Sequence, residues 1–525
     1  MSHLTMSEAI ADLRSRREQS LRPGSERSIQ KQHDRGKMTA RERVELLLDE
    51  GSFMEVGQLR RAMARTDDPN ERRPFGDGVI TGRGTIDGRP VCVFSQDYTV
   101  FGGSVGEVYA QKMVAIMDLA AKVGCPIIGL ADSGGARIQE GILALSNYAK
   151  VGVRNVNLSG VVPQISLIMG TCAGGAVYSP AMTDFTFMVN GTSHMFVTGP
   201  EVVQEVTGQA TTMEELGGAS VNAEVGNCHH VEDDDASALA SVRELFSYLP
   251  VNNVAEPPRY APDPEIDVID DRALELDSIV PTEANKAYNV VDVIERIVDE
   301  DSFFQLHERW ARSIVIGFAR IDGRSVGIIA NQPSHNAGVM TFDSTEKAAR
   351  FLRTCDAYNI PIVTLADVPG YMPGLEQERG GVIRRGAKLF YAYVEAKVPT
   401  VTVYLRKAYG GAFATMGCKQ GENDINIAWP TAEIAVMGAP AAVKVLHGQQ
   451  LMKIIQEGGD VKAEYDRLIE EYKAEHLTPY PAAEHGWVDR VIAPHETRRE
   501  IARGLRLMEG RRKDAPLRAH GNIPL

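Results

Sequence analysis

The chain is short of several things, and each shortage closes a class of function. It has six cysteines in 525 residues, scattered as Cys92, Cys125, Cys172, Cys228, Cys355 and Cys418, with no C-x-x-C pair. That pattern argues against a zinc ribbon or a disulfide framework and fits free thiols in a reducing compartment. No run nears the roughly 18 apolar residues a membrane helix needs, and the opening MSHLTMSEAIADLRSRREQ lacks the apolar core of a signal peptide. The expected location is therefore the cytoplasm, away from membranes. Positive charge is also in deficit: 56 Lys and Arg stand against 70 Asp and Glu, a net −14, which disfavours nucleic acid as a partner. The Arg-rich ends, 14–43 and 498–518, read as solvated helix faces or, alternatively, as side chains that meet the phosphates of an anionic cofactor or a partner subunit. No P-loop exists, since 381–388 places Ala387 between the second glycine and the lysine, so an ATP-driven step would need a partner protein. His229 and His230 beside 233–235 are the one hint of a metal site. Adjacent histidines point in different directions, and no metal is expected.

What the chain does have is a repeat. Ile86-Asp87-Gly88-Arg89 returns as Ile321-Asp322-Gly323-Arg324, 235 residues later. The run 126–132, PIIGLAD, answers to PIVTLAD at 361–367 with the same offset, and Gly174-Gly175-Ala176 answers to Gly410-Gly411-Ala412 with an offset of 236. So little drift implies two copies of one α/β domain, expected over 1–265 and 266–525. Apolar runs at 91–94, 126–131, 362–366 and 401–405 read as buried strands, and 107–122 and 344–358 as amphipathic helices between them. Alternation of this kind predicts mainly parallel sheets with covering helices, whose strand ends are the favoured ligand sites. Residues 1–50 read as helices, 443–456 as another, and the proline-rich 250–285 as a linker.

Two glycine turns follow buried strands in the first copy: Ser133-Gly134-Gly135-Ala136-Arg137, and Gly174-Gly175 after the run 165–169. Glycine permits a sharp turn and lets a backbone amide approach a ligand oxygen closely. If a helix begins at Gly175, its free amides form an oxyanion hole. The second copy repeats the device at Tyr409-Gly410-Gly411-Ala412. Two such holes suit a reaction in which two carbonyl oxygens both become anionic.

The stretches KQHDRGKMTARERVELLLDEGSF, FGGSVGEV, LADSGGARIQEG, MGTCAGGAVYSPAMTDF, LADVPGYMPG and RKAYGGAF closely resemble the carboxyltransferase (β) subunit of biotin-dependent acyl-CoA carboxylases. The likeness runs from about residue 8 to the C-terminus. It implies two crotonase-like domains, a homohexamer with sites between the N-terminal half of one subunit and the C-terminal half of another, and a biotin carboxylase and biotin carboxyl carrier (α) subunit as partner. Gly174 and Gly175 would then hold the thioester enolate of an acyl-CoA. Gly411 and Ala412, with Tyr409 and Gly410, would hold the ureido oxygen of biotin. Ser133, Gly134, Gly135, Ala136 and Arg137 would line the acyl-CoA path. Carboxybiotin would release CO2, its nitrogen would take the α-proton, and the enolate would attack CO2, so no side-chain base is required. Short-chain members of the family commonly carry Asp where this chain has Ala414, which implies a more open, drier pocket and tolerance of longer or branched acyl chains. Thr171 stands where proline is frequent.

Other motifs point elsewhere. Gly102-Gly103-Ser104-Val105-Gly106 matches the nucleophile elbow of a serine hydrolase. However, Ser104 with Glu107 also spells a capping box, and the second copy has Val339 in its place. A hydratase or isomerase would need a carboxylate such as Glu140 beside the oxyanion hole. A biotin-dependent decarboxylase would run the same transfer backwards, and a non-catalytic scaffold would have no need of both glycine turns. Met452-Lys453 resembles a biotinylation site, but it lies in a helical stretch.

Overall fold

A computed structural model describes residues 5–63, 72–283, 285–511, 513–514 and 516–525. The chain forms two compact units, Met1–Glu256 and Pro257–Leu525. In the first, strands Met54–Glu55, Val79–Ile86, Arg89–Gln96, Ile127–Ser133, Gln164–Ala173, Phe185–Val189 and His230–Glu232 lie side by side in that order, and His194–Phe196 pairs with the far end of Gln164–Ala173. Pairing is antiparallel as far as Arg89–Gln96 and parallel beyond it. The second unit repeats this plan, with Ile314–Ile321, Arg324–Asn331, Ile362–Val368, Thr400–Tyr409 and Ile425–Ala428 as its central strands.

The strands form where apolar residues run unbroken, because both faces are covered. Every residue of Ile127–Ser133 and of Ile362–Val368 is buried. Helix Glu107–Val123 turns Tyr109, Met113, Ile116 and Met117 into a core shared with Cys92, Val151 and Leu158, each large apolar side chain contributing about 1.5–3 kcal/mol. Gly124 ends the helix in the left-handed conformation at φ 66.

The duplication extends to single backbone angles. Phe101, Gly102 and Gly103 have φ of 52, 63 and 64, and Asn336, Ala337 and Gly338 have 49, 53 and 74. The parallel pairing of Ile127–Ser133 with Gln164–Ala173 slips between Ala131 and Ser133, and that of Ile362–Val368 with Thr400–Tyr409 slips between Ala366 and Val368. The repeat also begins earlier than residue 86. Asp49 accepts the amides of Asp87 (3.0 Å) and Gly88 (2.9 Å), and Asp299 accepts those of Asp322 (3.1 Å) and Gly323 (2.8 Å). The phrases DEGSF at 49–53 and DEDSF at 299–303 carry this earlier copy, at an offset of 250.

The proline-rich stretch is not all linker. Asp271–Ile279 is a helix, with the Asp270 side chain accepting the Ala273 amide at 2.7 Å and with Ala273 and Leu276 buried. Apolar spacing prevails there because every proline of the stretch falls outside the helix. The other helical expectations hold: Met6–Leu21, Glu26–His33 and Ala40–Leu47 near the start, and Ala439–Gln456 later, where Lys453 stands exposed. No helix among the described residues is long and apolar enough to cross a membrane.

Candidate active site

In the first unit, strand Gln164–Ala173 delivers the chain to Gly174, whose φ of 64 demands glycine. Gly174–Val177 then form one tight helical turn that continues into Tyr178–Met182. The first amides of such a turn have no acceptor within the helix; of these residues Gly174 and Gly175 are half-buried and Ala176 is buried. The Tyr148 ring closes in behind, where a Cβ on Gly175 would come within 3.0 Å of it. Beneath lies a narrow apolar cavity of about 30 Å³, lined by Phe94, Val105, Met113, Tyr148, Cys172 and Ala176 among others.

The neighbouring loop 133–137 is held rigidly by its own hydrogen bonds. Ser133 is fully buried, donating its hydroxyl to the Gly103 carbonyl (2.7 Å) and accepting the Gly135 amide (3.1 Å). The Gly134 amide donates to Gly102 O (2.9 Å) and the Arg137 amide to Val105 O (3.0 Å). Gly135, at φ 97, lies against the Ala173 carbonyl, so this loop abuts the Gly174 turn. Ala136 is half-buried. The loop thus offers shape, with three of its amides already committed.

Arg137 is buried, and its guanidinium donates to Asp77 Oδ1 (2.6 Å), Glu140 Oε1 (2.9 Å) and the Ser104 carbonyl (2.8 Å). Its side chain therefore braces the loop from inside. Glu140 in turn accepts the Glu107 amide at 2.7 Å, capping helix Glu107–Val123. This corrects the capping box expected from Ser104: Gly106 is the N-cap residue, and Ser104 instead donates to Phe101 O (2.8 Å) and receives Arg137 Nε (3.3 Å). A carboxylate from 33 residues downstream displaced the local hydroxyl. Among the described residues Ser104 bonds Phe101 O and Arg137 rather than a His or carboxylate base, and both Glu140 oxygens already accept a hydrogen bond, against both the hydrolase and the hydratase readings.

The second unit repeats the turn. Gly410 has φ 57 and opens helix Gly410–Thr415 directly after strand Thr400–Tyr409. Gly411 is exposed, with nothing within 4 Å of where a Cβ would lie, whereas Ala412 is fully buried. The Tyr409 hydroxyl donates to the Glu433 carboxylate. Burial, with that carboxylate second, pushes the phenol far up, so it remains a donor. Ala414 is half-buried, and its neighbour Thr415 receives the Tyr371 hydroxyl at 3.0 Å. Tyr371 stands where the first unit has Ala136: each forms the same isolated bridge, to Met340 and Val105 respectively.

Sequence reasoning missed a charged cluster just behind the first turn. Asp132 is fully buried, and its Oδ2 meets Gln32 Nε2 (2.9 Å), Lys37 Nζ (2.7 Å) and Arg43 Nη1 (2.9 Å). Burial pulls Lys37 down from its ordinary value despite that carboxylate. The available signal was an aspartate ending an otherwise apolar strand. Elsewhere, His229 Nδ1 accepts the Thr186 amide (3.1 Å) while His230 Nε2 faces Glu232 (2.8 Å). Among the described residues no group of three or more His, Cys, Asp or Glu could hold a metal ion.

This geometry matches a known class. The carboxyl transferase domain model covers residues 31–523. The chain belongs to the carboxyl transferase family. It is 53% identical to the propionyl-CoA carboxylase beta chain of Saccharopolyspora erythraea, over 98% of this chain and 96% of that one. It is 52% identical to the biotin-dependent acetyl-/propionyl-coenzyme A carboxylase beta5 subunit of Mycobacterium tuberculosis, over 98% and 95%. Among solved structures, the transcarboxylase 12S hexamer with methylmalonyl-coenzyme A bound superposes with a TM-score of 0.95 at 46% identity, covering 100% of this chain and 99% of that one. The fold of this carboxyl transferase is accordingly the expected pair of crotonase-like domains.

Proposed function

We propose that this chain is the carboxyltransferase subunit of a biotin-dependent acyl-CoA carboxylase, moving a carboxyl group between biotin and the α-carbon of an acyl-CoA thioester. The carrying observation is the pair of glycine turns, Gly174 at φ 64 and Gly410 at φ 57, each ending a long parallel strand and opening a helical turn. Biotin fits the second turn in kind, because Gly411 is exposed with open space where a side chain would stand, and amides that open a helix lack a helical acceptor. When bound, carboxybiotin supplies the carboxyl group and, once that has left, a ring nitrogen able to accept the α-proton. The chain's own part is electrostatic. Amides of Gly174 and Gly175 hold the thioester oxygen as negative charge grows on it, and those of Gly411 and Ala412 do the same for the ureido oxygen. One such donor is worth about 10² to 10³ in rate. Ser133 to Arg137 form the rigid wall along which the acyl-CoA lies.

The acyl chain is longer or more branched than propionyl in the substrates this enzyme tolerates, because the half-buried Ala414 brings no charge to its pocket. The subunit assembles as a homohexamer, works with a biotin carboxylase and carrier (α) subunit, and resides in the cytoplasm, where six buried free thiols stay reduced. The test is carboxyl transfer to free biotin from malonyl-CoA analogues of increasing α-alkyl length. Transfer that persists beyond the methyl analogue supports the whole reading. Transfer confined to malonyl- and methylmalonyl-CoA refutes the broadened pocket, and none at all from the folded hexamer refutes the activity.

A further inference from the structure

We propose that Arg43 is the positioning residue of the acyl-CoA side, and that Arg406 does the same work on the biotin side by a different route. The inference rests on the two-turn reading above. Arg43, from helix Ala40–Leu47, is fully buried, and its three nitrogens go to three separate places. Nε donates to Asp235 Oδ2, Nη1 to Asp132 Oδ2 and Nη2 to the Met169 carbonyl, each at 2.9 Å. Asp132 immediately precedes loop 133–137, and Met169 lies on the strand that ends in the Gly174 turn. One planar group therefore sets the spacing between the two loops that face the thioester.

Gly170 makes room for this arrangement. A Cβ there would fall 1.9 Å from Asp132 Oδ1 and 2.5 Å from Lys37 Nζ. Asp132 Oδ1 has no hydrogen-bond partner among the described residues, so the carboxylate is held through one oxygen by cations from outside its sheet. At the matching place in the second unit, 236 residues on, the strand carries its own cation, Arg406. Its Nε donates to Asp367 Oδ2 (3.1 Å), and its Nη1 to the carbonyls of Pro281 (3.2 Å), Glu283 (3.1 Å) and Lys286 (2.9 Å). Tyr288 completes that aspartate with a 2.9 Å bond. Both copies thus keep a buried aspartate at the same strand end, and each neutralises it with a guanidinium tied to backbone carbonyls.

Stability alone is a poor reason for such clusters, since a buried ion pair is often no more stabilising than well-packed apolar side chains. Orientation is a better one, because a guanidinium fork fixes direction as well as distance, which a lysine cannot do. A displacement of about 1 Å at a reacting centre can cost about 100-fold in rate.

The experiment compares Arg43→Lys and Arg406→Lys in the full-length hexamer, measuring methylmalonyl-CoA-to-biotin transfer with each substrate varied in turn, alongside thermal unfolding. Arg43→Lys is expected to lower kcat/KM for methylmalonyl-CoA by about 10- to 100-fold and to leave the KM for biotin unchanged. Arg406→Lys is expected to raise the KM for biotin and to leave that for methylmalonyl-CoA unchanged. Lower melting temperatures with intact kinetics, or equal effects on both substrates, would overturn the proposal. If Arg43→Lys does not fold, Lys37→Met takes its place, with a several-fold loss confined to the acyl-CoA side expected and unchanged kinetics overturning the proposal. An inactive wild type would instead refute the function itself.

Discussion

Whether the second turn works through its backbone amide can be decided at Gly411. This residue lies in the first turn of helix Gly410–Thr415, its φ is outside the left-handed region, and a methyl group there would meet no atom within 4 Å. Gly411→Ala should therefore fold as well as the wild type or better, by about 0.5–1 kcal/mol from the stiffer unfolded chain. It keeps the N–H, so transfer should stay within about twofold. Gly411→Pro removes the donor, at some cost to the left-handed Gly410 before it, and should lower kcat by about 10² to 10³, or about 2.7–4 kcal/mol in barrier. The assay is carboxyl transfer from methylmalonyl-CoA to free biotin, with folding and oligomeric state checked for each variant. Full activity in the proline variant would refute the amide as a donor. Equal losses in both variants would show instead that the bare surface of Gly411, rather than its amide, is what biotin requires.

Other expectations are equally concrete. Ala414→Asp should shift the kcat/KM ratio towards malonyl-CoA and methylmalonyl-CoA over longer α-alkyl analogues by about tenfold, and an unchanged ratio would remove Ala414 from the pocket. Ser104→Ala should keep full transfer, and the wild type should resist a fluorophosphonate probe; labelling at Ser104 would revive the hydrolase. Asp49 is held well below the usual carboxylate range, first by the Gly88 amide and then by Thr85, Arg243 and the Asp87 amide. Its stabilisation is thus complete above about pH 4, the unfolded value, and is lost as the pH falls further. Asp49→Asn should cost about 1–2 kcal/mol at pH 7, with the gap in melting temperature closing below pH 4; a gap independent of pH would contradict the assignment.

Much of the fold was legible because duplication writes each element twice, so Gly174 and Gly410 corroborate each other where a single glycine turn would not. The earlier copy at Asp49 and Asp299 escaped because an insertion moves the offset from 235 to 250, and the shared words are only five residues long. Local rules failed where a distant residue competed. Ser104 and Glu107 have capping-box spacing, yet Glu140 reaches the helix first. Asp271–Ile279 was hidden among prolines that bracket it. Arg43 was visible only as one arginine in a basic N-terminal stretch, and nothing in its spacing announces that it ends inside a sheet, bonded to residues 89, 126 and 192 positions away.

The contrast between Gly170 and Arg406 bears on how the two copies can change. Each half has solved the same buried-charge problem with an incompatible part. Grafting the strand of the second copy into the first would drive a second guanidinium into the space Lys37 and Arg43 already fill, and the reverse graft would leave Asp367 without its cation. The halves are therefore no longer interchangeable at this strand, and a chimaera that swaps it should be functional only if residues 32–43 are exchanged along with it.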